Sequence, residues 1–247
     1  RIENMICWGN SDTGVVRGEN QDAYILRQFE NGWALLLVCD GMGGARGGKT
    51  ASFTASQVFA QTVEQKLAEG AGADQMADLV TAAAQAANQA VYQAAGLDGG
   101  LAGMGTTLVC LLTDGQSAVV GNIGDSRAYL ATEEGLRQVP HDHSLVAEMA
   151  RRGEISWREA NSHPNKNVIT RALGVDSDVA CDVFPLKVKP GQYVLLCSDG
   201  LTNEVSDPEL YYEIFQSQAP ERACDTLIDI ANQRGGRDNI TVLLAAF

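Results

Sequence analysis

Leu35-Leu36-Leu37-Val38-Cys39-Asp40-Gly41-Met42-Gly43-Gly44 is an apolar run that ends on a carboxylate and then turns through glycines. A run this short, bounded by glycine, reads as a strand covered on both faces, since a core helix needs ten or more residues. Asp is disfavoured in strands, and burying it ionised without a partner costs several kcal/mol. Its place at the strand end therefore asks for a counter-charge. The device returns at Tyr193-Val194-Leu195-Leu196-Cys197-Ser198-Asp199-Gly200, and Arg237-Asp238-Asn239 leads straight into a third run, Ile240 to Phe247. Carboxylates held at three strand ends, Asp40, Asp199 and Asp238, point to a cation site.

Composition bounds what surrounds that site. The 247 residues suffice for a sizeable core, and layered β folds reach this length as single units. No stretch approaches 18 consecutive apolar residues, so no membrane span is expected. The chain begins at Arg1 without a charged-then-apolar leader and reads as an excised piece lacking a secretory signal. Eighteen basic against 31 acidic side chains give a net charge of -13, and no basic run exceeds Arg151-Arg152. Nucleic-acid binding needs a basic stripe and is set aside. The six cysteines form no CxxC, and Cys39, Cys110 and Cys197 sit inside apolar runs, the pattern of free, buried thiols in a cytoplasmic protein.

Outward from the central strand, Met5 to Gly9 and Ala23 to Gln28 read as strands, with Ser11-Asp12-Thr13-Gly14 as a turn. Glu30-Asn31-Gly32 carries a hairpin signal. The glycine-rich turn Gly41 to Gly48 opens a helix whose inward stripe includes Ala51, Ala55, Val58, Phe59 and Leu67, and a second helix runs from about Asp74 to Ala95. Strand signals follow at Gly105 to Leu112, Ser117 to Ile123, Arg127 to Ala131 and Leu136 to Val139. Their short connections make a meander, with Asp125 at a hairpin tip. His141 to Ser162 turns polar and helical, with Ser156 as an N-cap. Val168 to Leu173 and Cys181 to Leu186 read as strands, Tyr193 to Cys197 is another, and Pro208 to Phe215 and Arg222 to Arg234 read as helices. Strands, helices, strands, helices, strand with antiparallel links favour an α+β layered sandwich.

Mg²⁺ and Mn²⁺ prefer oxygen ligands and retain waters, so a few Asp with little His or Cys fit them. Asp40 bridging two such ions would give a shared water hydroxide character near neutral pH. The glycine after it leaves a carbonyl free to approach a metal. A phosphoryl substrate repelled by carboxylates needs a cation, and Arg17 is the candidate, since its planar fork pairs with phosphate. Asp22 would stand behind the ligands.

Arg17-Gly-Glu-Asn-Gln-Asp22, Val38-Cys-Asp40-Gly-Met-Gly-Gly44, Met104-Gly-Thr-Thr107, Gly121-Asn-Ile-Gly-Asp125-Ser-Arg127, Asp142-His-Ser144, Cys197-Ser-Asp199-Gly-Leu201 and Gly236-Arg-Asp238-Asn239 resemble, in order, the motifs of the metal-dependent protein phosphatases. This is the type 2C serine/threonine family in its bacterial form, and the resemblance covers nearly the whole chain. It implies one catalytic domain over residues 1–247, an αββα sandwich of two face-to-face antiparallel sheets, and a flap at about 148–165. It implies two Mn²⁺ or Mg²⁺ ions on Asp40, the Gly41 carbonyl, Asp199 and Asp238, with Asp125 and Asp199 holding a third. Arg17 would bind phosphate, Asp22 and Asn239 would stand behind the ligands, and His163 beside the flap would face substrate. The implied activity is hydrolysis of phosphoserine and phosphothreonine by a hydroxide bridging the two ions. The expected partners are phosphorylated proteins, substrates of a serine/threonine kinase, met by a monomer.

The sequence departs from the family where Ala45 and Lys49 replace the His and Glu of many bacterial relatives and where Met42 replaces the His of animal ones. Those changes keep a second reading open, a catalytically weak module that binds phosphoproteins; a two-metal phosphodiesterase is a third. Taken singly, Asp40, Asp199, Asp238 and Asp125 also suit turns or caps, and Arg17 suits a surface ion pair. His141-x-His143 puts two imidazoles on one strand face, but without a third His or a Cys nearby a hydrogen-bonded role is favoured over a metal.

Overall fold

In the computed structural model, which describes residues 5–217 and 219–247, the central strand is β3, Ala34–Met42. Its side chains alternate between two cores. Leu35, Leu37 and Cys39 pack on the helix side, and Leu36 and Val38 face a layer shared with the other sheet. That is why the run is apolar without a break: both faces of β3 are covered. Continuing the alternation puts Asp40 on the inter-sheet side, where the sandwich opens.

Every strand pair is antiparallel. One sheet has the order β2, β3, β5, β6, β9, formed by Asp22–Gln28, Ala34–Met42, Leu108–Thr113, Ser117–Ile123 and Asp182–Lys187, with the short β4, Gly105–Thr106, paired to the end of β3. The other has the order β1, β11, β10, β7, β8, formed by Ile6–Asp12, Ile240–Ala246, Tyr193–Cys197, Arg127–Thr132 and Gly135–Gln138. Helices α1, Gly44–Ala68, and α2, Met76–Leu97, cover the first sheet through Ala51, Ala55, Phe59, Val80 and Ala87. On the far side α6, Asp207–Tyr211, and α7, Pro220–Gln233, bring Leu210, Leu227 and Ile228 against Leu195, Val242 and Leu244. The layers are therefore helix, sheet, sheet, helix, as expected. Two short helices, α3, Leu145–Arg151, and α4, Trp157–Ser162, form the insert after the meander, and α5, Asp199–Thr202, starts directly after β10. Among the described residues no helix is long and apolar enough to cross a membrane.

Three local readings change. Val168 to Leu173 is not a strand: it touches others only through single bridges, Ser144 with Ile169 and Thr106 with Leu173. The segment is a loop instead, tied down by those two bridges. Helix α1 begins at Gly44, so Gly47 and Gly48 lie inside it. A Cβ on Gly48 would sit 2.8 Å from the Gly41 oxygen, so Gly48 lets the helix approach β3 closely. The β1 strand also runs on to Asp12, whose Oδ1 then caps the turn by accepting from the Gly14 N–H at 2.8 Å.

Candidate active site

Four carboxylates from four separate segments line one cavity of about 670 Å³: Asp40 on β3, Asp125 in the β6–β7 turn, Asp199 at the start of α5, and Asp238 just before β11. Gly41, Gln21, Thr107 and Asn239 line it too, and Arg17 stands at the rim. The sequence separation between Asp40 and Asp238 is closed by the sandwich itself, since each lies where its sheet opens.

The Arg17 guanidinium is 54% exposed and donates from Nη2 to Asp238 Oδ2 at 2.8 Å. The ion pair leaves other N–H groups of the fork for a ligand oxygen. The loop bearing Arg17 is tied down by Asn239, which is buried. Its amide donates to the Thr13 and Glu19 carbonyls at 2.8 and 3.0 Å, and its oxygen accepts the Gln21 N–H at 2.8 Å. Asn239 thus fixes the loop that carries Arg17 against the segment that carries Asp238.

Asp22 lies directly opposite Asp40 in the β2–β3 register. Like charges in that position repel. Its Oδ2 accepts from Ser198 Oγ at 2.8 Å and Thr241 Oγ1 at 2.6 Å, two hydroxyls from the other sheet. Its Oδ1 is buried and has no hydrogen-bond partner among the described residues. Burial pushes the Asp22 carboxyl up to about 7, with Asp199 and Asp238 adding repulsion against the two hydroxyls. Asp40 and Asp199 are also raised, first by burial. Asp22 is the next largest influence on Asp40, and Asp238 on Asp199, while Asp40 itself lies within hydrogen-bonding reach of Asp199. Burial raises Asp125 as well, followed by Asp199. The cluster carries more negative charge than it can hold without a cation.

These residues fit divalent Mg²⁺ or Mn²⁺. The donors are carboxylate oxygens and backbone carbonyls, the ligands such ions take. The orphaned Asp22 Oδ1 leaves a buried acceptor beside the cluster for a water that a cation would bring. Among the described residues no three His, Cys, Asp or Glu side chains converge as a finished metal cage. Ions that keep several of their own waters need none.

Other sequence-derived residues fall less simply. His163 lines no part of this cavity. It ends α4, and its Nδ1 accepts the Asn165 N–H at 3.1 Å, so the ring is engaged locally. The part of the insert that does line the cavity lies further on, at Asn167 and Ile169. Lys49 at the α1 start is ion-paired with Glu19 at 2.6 Å, so its charge is answered at the rim; the side chain of Ala45 lies outside the described residues. His141 is exposed, whereas His143 is buried with both ring nitrogens hydrogen-bonded. Sequence reading gave Thr107 no role. Its Oγ1 accepts the Asp40 N–H at 2.9 Å and bonds Ser126 Oγ at 2.7 Å, joining the Asp40 strand to the Asp125 turn. Asp142 and Arg127 prove to be a mutual ion pair at 2.6 Å.

A carboxylate cluster with an arginine at its rim, at the open end of a two-sheet sandwich, suits metal-dependent hydrolysis of phosphate esters. Residues 16–227 match the family described as protein phosphatase 2C, and the chain belongs to that family. It is 38% identical over 234 residues to the serine/threonine phosphatase stp of Listeria monocytogenes, covering 95% of this chain and 92% of that one. Among solved structures it superposes on the serine/threonine phosphatase PstP/Ppp of Mycobacterium tuberculosis with a TM-score of 0.89, 33% identity and 98% of each chain covered. A structure of the PstP catalytic domain in complex with two manganese ions matches with a TM-score of 0.86 and 31% identity, covering 98% of this chain and 97% of that one. The chain is thus a metal-dependent phosphoprotein phosphatase.

Proposed function

We propose that this chain, as one catalytic domain, hydrolyses phosphoserine and phosphothreonine esters on proteins phosphorylated by a serine/threonine kinase. The observation that carries this reading is the convergence of Asp40, Asp125, Asp199 and Asp238 on one cavity with the Arg17 guanidinium at its rim. Asp40, the Gly41 carbonyl, Asp199 and Asp238 would hold two Mn²⁺ or Mg²⁺ ions, and Asp125 with Asp199 a third. Bound there, the ions lower the pKa of water and neutralise charge on the phosphoryl oxygens.

The chain's own residues supply the rest. Arg17 binds the phosphate oxygens with the N–H groups its pair with Asp238 leaves available, and the ion pair holds the fork in position before substrate arrives. Asn239 keeps the loop carrying Arg17 from drifting. Asp22 adds negative charge behind Asp40, which strengthens the pull on a cation. Thr107 fixes the spacing between Asp40 and the Asp125 turn. No cysteine lines the cavity, which argues against a cysteine nucleophile: all six cysteines are unpaired, and burial raises the Cys39, Cys110 and Cys197 thiols. Unpaired cysteines also suit a reducing cytoplasmic setting. The intact Asp40, Asp199 and Asp238 on one cavity speak for an active enzyme over a weak binding module.

The test is a substrate panel with Mn²⁺: phosphothreonine, phosphoserine and phosphotyrosine peptides and a bis-aryl phosphodiester. Release from the first two with little from the others supports the reading. Preference for the diester assigns the site to phosphodiester chemistry and overturns it.

A further inference from the structure

We propose that His143 is a positioning residue for Asp125, its neutral ring clamping the Gly124 turn that sets the carboxylate into the cavity. The inference rests on the reading of Asp125 as a cation-holding group.

A backbone N–H can only donate. Gly124 N–H points at His143 Nδ1 at 3.0 Å, so that nitrogen carries the lone pair and the ring proton sits on Nε2. The Nε2–H then donates to Asp182 Oδ2 at 3.0 Å. Asp182 is anchored by Arg171, whose Nη1 donates to its Oδ1 at 2.7 Å and also to the Ala180 carbonyl at 3.1 Å. The His143 backbone N–H returns to the Gly124 carbonyl at 2.9 Å. One residue therefore holds both backbone groups of Gly124. Gly124 has φ +103, and a Cβ there would lie 2.7 Å from a Thr107 methyl carbon, so the turn has no room on the other side.

Asp125 sits between two fixed neighbours. Gly124 is held by His143, and Ser126 is held by the Thr107 hydroxyl that also takes the Asp40 N–H. The clamp thus sets where Asp125 stands relative to Asp40. A ring charged on both nitrogens would lose the acceptor that Gly124 needs, and burial lowers the His143 pKa and keeps the ring neutral. The buried imidazole, 5% exposed, reaches Asp125 through the turn and does not line the cavity.

The test separates the two faces of the ring. His143→Gln keeps a donor near Nε2 but offers Gly124 no acceptor; His143→Asn places an oxygen near Nδ1. Mn²⁺ binding is measured by calorimetry on the full chain, with thermal unfolding in EDTA as the check on folding and phosphate release in parallel. His143→Gln should weaken the Asp125-dependent ion about tenfold or more, the range seen when a group behind a metal ligand is lost. His143→Asn should stay within about threefold on the same scale. In an Asp125→Ala background His143→Gln should have no further effect on metal binding, since the two act through one ion.

Native-like Mn²⁺ binding by His143→Gln, or an equal loss in the Asp125→Ala background, overturns the clamp. Native-like binding by Asp125→Ala alone overturns the cation reading of Asp125 and the clamp with it. If His143→Gln does not fold, nitrogen NMR of the native protein decides. An Nε2–H tautomer with a slowly exchanging Gly124 amide upholds the proposal, and an Nδ1–H tautomer overturns it.

Discussion

Replacing Asp22 by Asn isolates the electrostatic cost of the carboxylate cluster. In the metal-free protein burial carries the Asp22 carboxyl from 3.8 to about 7, against the pull of Thr241 and Ser198. A folded pKa above the unfolded one means that the folded state binds more protons. The stabilisation is complete below about pH 4 and is lost as pH rises through about 7. Between pH 5 and pH 8 the native protein loses roughly 2 to 3 kcal/mol through this one group. Asn cannot ionise and loses none of it. Asn also puts an amide nitrogen at the buried Oδ1 position, which has no partner, at a cost of about 1 to 3 kcal/mol. That cost is the same at every pH and drops out of the slope. Urea unfolding in EDTA at pH 5, 6, 7 and 8 reads the difference directly. The Asn variant should gain on the native protein by about 2 to 3 kcal/mol across the series. A difference that does not change with pH, or one that grows against Asn, refutes the burial argument.

Burial and mutual repulsion also raise Asp40, Asp125 and Asp199 above the usual carboxylate range, so metal-free native protein should lose further stability as pH rises through their raised values. Saturating Mn²⁺ should remove that fall in thermal scans. Gly41→Ala would place its Cβ 2.1 Å from the Gly48 oxygen and 2.7 Å from the Gln21 oxygen, so it should cost more than about 4 kcal/mol or prevent folding. Gly18→Ala, with nothing within 4 Å, should stay within about 0.5 kcal/mol in the same denaturation assay. Arg17→Ala should lower kcat/KM on a phosphothreonine peptide by about 10- to 100-fold, the loss of a charge-assisted hydrogen bond. Because the side chain is largely exposed, its thermal stability should hold. His163→Ala should leave kcat/KM within about twofold, while Asn167→Ala, which alters the cavity lining, should lower it by more in the same assay.

Much of this molecule was legible because each strand announced itself. The unbroken run at Leu35 to Cys39 encodes a strand covered on both faces, and the short turns of the meander encode antiparallel pairing. Asp40 and Asp199 could be picked out because Asp is out of place after an apolar run, Asp238 because it leads straight into one, and Asp125 through the family resemblance. What stayed hidden depends on contacts across the fold. Val168 to Leu173 carries β-branched and apolar residues that read as a strand, yet it meets its neighbours only through single bridges. His163 and Asn167 are near in sequence, and only the path of the loop decides which one reaches the cavity. Thr107 looked like an ordinary strand residue; its hydroxyl matters because the Asp40 backbone and Ser126 arrive beside it from elsewhere. The pairing of Asp142 with Arg127 likewise joins residues whose motifs give no hint of each other.

Hydrolysis by this chain is expected to depend on cations that the carboxylate cluster holds. The most direct test follows Mn²⁺ binding by calorimetry and phosphate release from a phosphothreonine peptide, in parallel, for native protein, native protein with EDTA, and Asp199→Asn. Activity should need Mn²⁺, disappear with EDTA, and collapse in Asp199→Asn together with metal binding. Asp199→Asn that binds Mn²⁺ and turns over like the native protein, or native protein that works in EDTA, would contradict that dependence.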